Sequence, residues 1–289
     1  MVVIHKLGTI RMKQTNSYKD CNSINEPSFD IANIESPRFR PDFDFDLSDL
    51  ALIKEQIGNL KYDCIIIGSG IQGCGLACHI KKTYPNLKFC IIDENDYLCK
   101  QFYERTLKIG QKTLRSPYQH HIAPDGDIQL IDYARLKSDL LTDNELLQIE
   151  LAISGQRSIV PLDVFWAHTK HILKKYEIHK CSFKSKVQSI EKLDNDYKII
   201  TKDQIFTTNK IIVATGSKSY TPSEFINAEN KTPFDKVIHC FNIDVKTVKN
   251  KNILIVGAGL SSATIIKELY QHNKLTWLIR SEEKYKCTE

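Results

Sequence analysis

The chain has 289 residues, of which 42% are hydrophobic and 26% charged, and its net charge is +5. That length holds one large or two modest domains with a real core. The mild charge, with no basic block of five or more, argues against a nucleic-acid partner, and no run of eighteen apolar residues offers a transmembrane helix.

Residues 1–60 read as a polar extension rich in Asn, Ser and Lys, expected to be partly disordered. Its first nineteen residues are basic and acid-free, but they lack the amphipathic period of a transit peptide. Within it, "SDLALIKEQI" (Ser48 to Ile57) has an N-cap serine and helical spacing of apolar residues, which predicts a short helix. From Tyr62 the pattern turns β-α-β. "DCIII" is a continuous apolar run, as in a strand covered on both faces. A helix is predicted over Ile71 to Thr83, ended by the proline of "YPN", and "KFCII" is the next strand. A second helix is predicted from about Pro161 to Tyr176, with proline in its first turn. Short strands follow: "KVQSIEKL", a turn at 194–196, "YKIIT", "QIFTT" and "KIIVATGS". "KNILIVGAGLSSATIIKELYQHNKLTWLIRS" then repeats the opening order of strand, glycine turn, helix and strand.

The first glycine turn is "GSGIQG": Gly68, Ser69, Gly70, Ile71, Gln72 and Gly73. Each glycine has a mechanical task. Gly68 permits the tight turn, Gly70 lets backbone approach a pyrophosphate, and Gly73 lets the helix lie close on the sheet. Asp93 ends the next strand about 20 residues further on, the spacing of a carboxylate that accepts from a ribose diol. The second turn carries Gly257, Gly259 and, in the third position, Ser262. Arg280 stands where a carboxylate would favour NAD. An arginine there suits a 2′-phosphate and points to NADP.

The nine cysteines form no C-x-x-C pair, and none is expected to bind metal. Cys74 and Cys78 are expected in the core beneath the first helix. The odd count and the lack of a secretory leader pattern indicate a reducing, cytoplasmic setting. No third ligand stands at a defined spacing from His120 and His121, and the helical period puts His168 and His171 on a polar face, so no metal site is expected.

Two dinucleotide turns separated by a β-meander ending in "VATGS" resemble the two-dinucleotide-binding flavoproteins, over roughly residues 61–281. The resemblance implies an α/β fold: a Rossmann-like FAD-binding domain with an inserted meander (61–235) and the start of a second, NADP-binding Rossmann domain (236–289). It implies FAD on the first turn and NADPH on the second. It also places Ala214, Thr215 and Gly216 close to FAD, and the backbone of Val187 near the adenine. "TPFDKVIHCFNIDVKTVKNKNILIVGAGLSSA" is similar to a passage of the N-hydroxylating and Baeyer–Villiger-like flavin monooxygenases, with Cys240 in place of a serine. "KTLRSPYQHHIAP" resembles a loop beside the flavin in some of them, which would bring Arg115 near cofactor or substrate. The implied activity is insertion of one oxygen atom from O2 into a small organic substrate. No catalytic acid, base or nucleophile is evident. The redox cysteine pair of the disulfide-reductase branch is absent. The second domain is expected to be incomplete, with a partner chain completing it, and the alternative reading is a nucleotide-binding protein without turnover.

Overall fold

The computed structural model describes residues 2–4, 40–54, 60–216 and 237–279. Over these the chain forms two compact units. One comprises residues 2–4, 108–110 and 237–279; the other comprises 40–54, 60–107 and 111–216.

The larger unit is built on a six-stranded sheet. In chain order its strands are β2 (Leu60–Ile67), β3 (Phe89–Asp93), β6 (Ser182–Lys184), β7 (Val187–Lys192), β8 (Tyr197–Thr201) and β9 (Ile205–Val213), and its spatial order is β6-β3-β2-β9-β8-β7. The first four strands are parallel, and β9, β8 and β7 form an antiparallel meander. A short hairpin, β4 (Thr113–Leu114) with β5 (Val160–Pro161), lies outside this sheet. Helix α1 (Ile71–Thr83) links β2 to β3 with the bounds the sequence predicts. The small residues Gly73, Cys74, Ala77 and Cys78 are buried, which seats the helix close to the sheet. Alternate residues of β2 then divide between two cores: Cys64 and Ile66 face the α1 side, whereas Ile65 and Ile67 face Tyr62, Phe183 and Phe206. That division explains the continuous apolar run, since both sheet faces are covered. "QIFTT" and "KIIV", expected as separate strands, are one strand, β9. Its N-terminal half pairs with β8 and its full length runs beside β2.

Helices α2 (Lys100–Lys108), α3 (Leu130–Arg135) and α4 (Asp143–Ile153) have no counterpart in the sequence reading. α4 opens with a full capping box, Thr142 with Glu145, a signature present in the sequence as T-x-x-E. Helix α5 (Leu162–Lys175) matches the predicted helix. It is more deeply buried than its period suggests, however, and His168 is inaccessible instead of lying on a polar face. Its Nε2 donates to the carbonyl of Ile128 at 2.9 Å, and its ring packs on those of His121 and Tyr133. Burial pushes the His168 pKa down to about 4, against a partial lift from the Ile128 bond. The unfolded chain takes up this proton near pH 6.5 and the folded chain only near 4, so the contribution is full above 6.5 and is lost as pH falls toward 4. The loss amounts to roughly 3 kcal/mol at most. In urea unfolding at pH 7 and pH 4.5, His168→Gln is expected to show a smaller acid-dependent drop than the wild type; equal drops would contradict it.

Two segments of the polar extension over 1–60 take part in the fold. Residues 40–54 pack onto the larger unit, burying Phe43, Leu47, Leu50 and Leu52. The helix expected over Ser48 to Ile57 is absent from its described part, 48–54. There Ala51 and Ile53 instead make bridges to Tyr97 and Phe183. Periodicity could not register those sheet-edge partners, which supply the backbone bonds a helix would have made internally: Leu52 N–H to Asp96 O at 2.9 Å and Ile53 N–H to Ser182 O at 2.8 Å. Arg40 is bidentate to Asp163, with both contacts at 2.9 Å, and reaches Glu145 at 2.6 Å. Lys170 and Lys174 of α5 pair with Asp44 and Asp49.

The second segment is β1 (Val2–Ile4). It lies inside the other unit's four-stranded, all-parallel sheet, with β10 (Val237–His239), β11 (Asn252–Val256) and β12 (Lys274–Leu278), in the order β10-β1-β11-β12. Helix α6 (Leu260–Leu269) joins β11 to β12, and Ile253, Ile255, Ile265 and Leu269 form the core with Cys240, Ile243 and Ile109. Besides the two strands of the β-α-β repeat read from the sequence, this sheet contains β1 and β10.

Candidate functional site: two glycine turns of one shape

β2 ends by running into Gly68, whose φ of +111° lies in the region that favours glycine. A Cβ at this position would lie 2.5 Å from the Ala214 carbonyl oxygen, and one on Gly73 would lie 2.0 Å from the Gly68 oxygen. At Gly70 the added carbon would meet nothing within 4 Å. Two glycines are thus demanded by the protein's own packing, while the third faces open space, as a backbone approached by a ligand should. Gly70 also caps α1 with no side-chain bond and no acidic residue in the first turn. The start of α4, by contrast, carries a full capping box.

Asp93 lies at the turn, but it is already engaged. One carboxylate oxygen accepts from the Ser69 amide at 2.5 Å; the other accepts from the amide and side chain of Asn95 at 2.8 and 2.6 Å. A carboxylate has about four acceptor sites, so roughly one is left for a ribose hydroxyl. Asn95 and Cys74 were missed as parts of this site. The Cys74 thiol donates to the Ser69 carbonyl at 3.2 Å, and the Cys99 amide meets the same oxygen at 2.9 Å. The D-x-N pattern at 93–95 was the available signal for Asn95. Cys74 and Cys78 are buried as expected.

Ala214, Thr215 and Gly216 follow β9 directly. The Ala214 amide bonds the Ile67 carbonyl at 2.7 Å, which holds this segment against the turn. Val187 lies just beyond Ser185, whose amide bonds the Asp93 carbonyl at 2.8 Å, so the chain passes the Asp93 end of the sheet before β7 begins. Ile71 is half-buried and Gln72 exposed on the first turn of α1. Arg115 is exposed on the bend after β4, and the bonds of the first turn do not include it.

The second turn repeats the first. Gly257 has φ +112°, against +111° at Gly68, and each of these amides bonds the last carbonyl region of the neighbouring strand at 2.9 Å: Leu278 O for Gly257, Ile92 O for Gly68. Gly259 caps α6 at φ −80° and ψ 171°, as Gly70 caps α1 at −68° and 178°, again without a side-chain cap or acid. Ser262 is buried at the third position, and the Trp277 indole N–H braces the Gly257 carbonyl at 2.7 Å. Arg280 lies outside the described residues. No helix among the described residues is long and apolar enough to cross a membrane.

A family model described as pyridine nucleotide-disulphide oxidoreductase matches residues 157–288. The uncharacterized oxidoreductase CzcO of Bacillus subtilis (strain 168) is 24% identical over 226 residues, covering 77% of this chain and 55% of that protein. Among solved structures, the FAD-bound cadaverine monooxygenase DfoA of the desferrioxamine pathway of Erwinia amylovora aligns with a TM-score of 0.54 at 17% identity, over 78% of this chain and 53% of its own. The bacillithiol disulfide reductase Bdr of Staphylococcus aureus aligns with a TM-score of 0.52 at 16% identity, over 78% and 58%. The chain spans just over half the length of these relatives. It resembles the two-dinucleotide-binding flavoproteins, flavin monooxygenases among them, and it has their Rossmann-type α/β fold.

Proposed function

We propose that the chain is the dinucleotide-binding portion of an FAD- and NADPH-dependent oxidoreductase, a flavin monooxygenase acting on a small organic substrate. The observation that carries this reading is the pair of glycine turns with matching dihedrals, each opening an uncapped helix at the end of a parallel strand. The residues of the first turn fit FAD. The amides that open α1 bind the pyrophosphate, the open face of Gly70 admits it, and Asp93 accepts from the ribose while holding Ser69 in place. The second turn binds the nicotinamide nucleotide in the same way, and the choice of NADPH rests on Arg280 in the sequence. When bound, FAD supplies the hydride and oxygen chemistry, and the chain's part is to bind, orient and exclude water. The relatives that include flavin monooxygenases and the FAD named for DfoA support this reading.

The test is a flavin absorption spectrum of the purified chain, with NADPH oxidation followed in excess FAD. Gly70→Val fills space that the protein leaves open, so it is expected to keep the wild-type melting temperature and lose FAD. Retention of FAD at unchanged affinity would refute the assignment of the first turn. FAD binding without NADPH oxidation would favour the alternative, a nucleotide-binding protein without turnover.

A further inference from the structure

We infer that Val2–Ile4 is a built-in strand donor that completes the sheet carrying the second glycine turn. In the larger unit, β2 runs into Gly68 with β3 on one side and β9 on the other, all three parallel. In the smaller unit, β11 runs into Gly257 with β12 on one side and β1 on the other, again all parallel. β1 therefore holds the place that β9 holds in the first sheet. β9 comes from chain downstream of its own glycine turn, whereas β1 comes from far upstream. Its register sets Ile4 opposite Val256, the residue before Gly257, and so fixes the strand end from which the turn departs. β1 also stands between β11 and β10, with Val2 opposite Val237 and Ile4 opposite His239. Without it, β10 and β11 lose the strand that bridges them, and β11, whose Ile253, Ile255 and Val256 are buried, presents an open parallel edge. The sequence Val-Val-Ile is β-branched throughout and suits such a central position. The inference concerns the fold without ligand and does not depend on what the turn binds.

Amide hydrogen exchange of the full chain tests it. Val3→Pro removes a central N–H and cannot sit in an inner strand; Val3→Thr keeps both the N–H and the branched side chain. Exchange at Leu254–Val256 is expected to quicken by at least roughly tenfold in Val3→Pro and to stay near wild type in Val3→Thr, with Ile65–Ile67 unchanged in both. Unaltered exchange at Leu254–Val256 in Val3→Pro overturns the inference. If Val3→Pro also strips protection from Ile65–Ile67, a chain lacking residues 1–6 is mixed with a synthetic peptide of that sequence. Restored protection at Leu254–Val256 supports the donor role, and no restoration overturns it. A wild-type dimer that loses this protection on dilution shows that the strand comes from a second copy, which also overturns the assignment.

Discussion

Gly73→Ala is expected to abolish FAD retention and to destabilise the larger unit by about 3 kcal/mol or more, the upper end for an overpacked core. The added carbon would lie 2.0 Å from the backbone oxygen of Gly68, and no side-chain rotation relieves a clash with backbone. The start of α1 would have to move off the turn by about 1 Å or more to restore ordinary contact. That motion would pull the helix amides away from the phosphate position and loosen the packing of Cys74, Ala77 and Cys78. Chemical denaturation and flavin titration of the variant check both parts. The comparison with Gly70→Val is the informative one, because one substitution should damage fold and binding together and the other binding alone. Wild-type stability and flavin affinity in Gly73→Ala would show that the helix is not seated as described.

The second large effect lies away from the turn. Arg40→Ala is expected to cost about 3–5 kcal/mol, the range for removing one partner of a buried ion pair. Asp163 is 3% exposed and Glu145 9%, and the variant leaves both carboxylates without their guanidinium. Burial works against the charge on Arg40, but the bonds to Asp163 and Glu145 outweigh it and hold its pKa above the ordinary value. The same substitution unfastens residues 40–54 from α4 and α5. Arg40→Lys, which keeps the charge but loses the fork, should recover only part of the loss. Urea unfolding of both variants measures it; a cost below 1 kcal/mol for Arg40→Ala would show that the segment is held by its other contacts and not by Arg40.

Elements whose signals are local were legible in the sequence. α1 was bounded by a glycine and a proline, β8 by a turn, and Asp93 by its spacing from Gly73. The first turn was read residue by residue, and the structure brings its glycines together with Asp93 and Ala214. What escaped depended on distant chain. Leu50 and Ile53 keep a helical spacing, yet the Ile53 amide bonds Ser182 O on the edge strand of the sheet, far away in sequence. His168 falls on the polar side of a helical wheel but is buried because residues 121–133 cover it. Asn95 was invisible as a functional group because its role lies in orienting Asp93. Val2–Ile4 is three residues long, below the length at which any pattern can be recognised.

The pairing of Val2 with Leu254 has a consequence for how the protein is made. These partners leave the ribosome about 250 residues apart, at the high end of sequence separation for neighbouring strands. The larger unit can fold on its own schedule once β9 has emerged, but the smaller sheet cannot zip until β11 meets a segment synthesised long before. During that interval the earlier-made strand is exposed and unpaired, the state in which a chain is most open to aggregation or to capture by a chaperone. Assembly of the smaller unit should therefore be the late, slow step of biogenesis, and the one most sensitive to temperature and to crowding by sister chains.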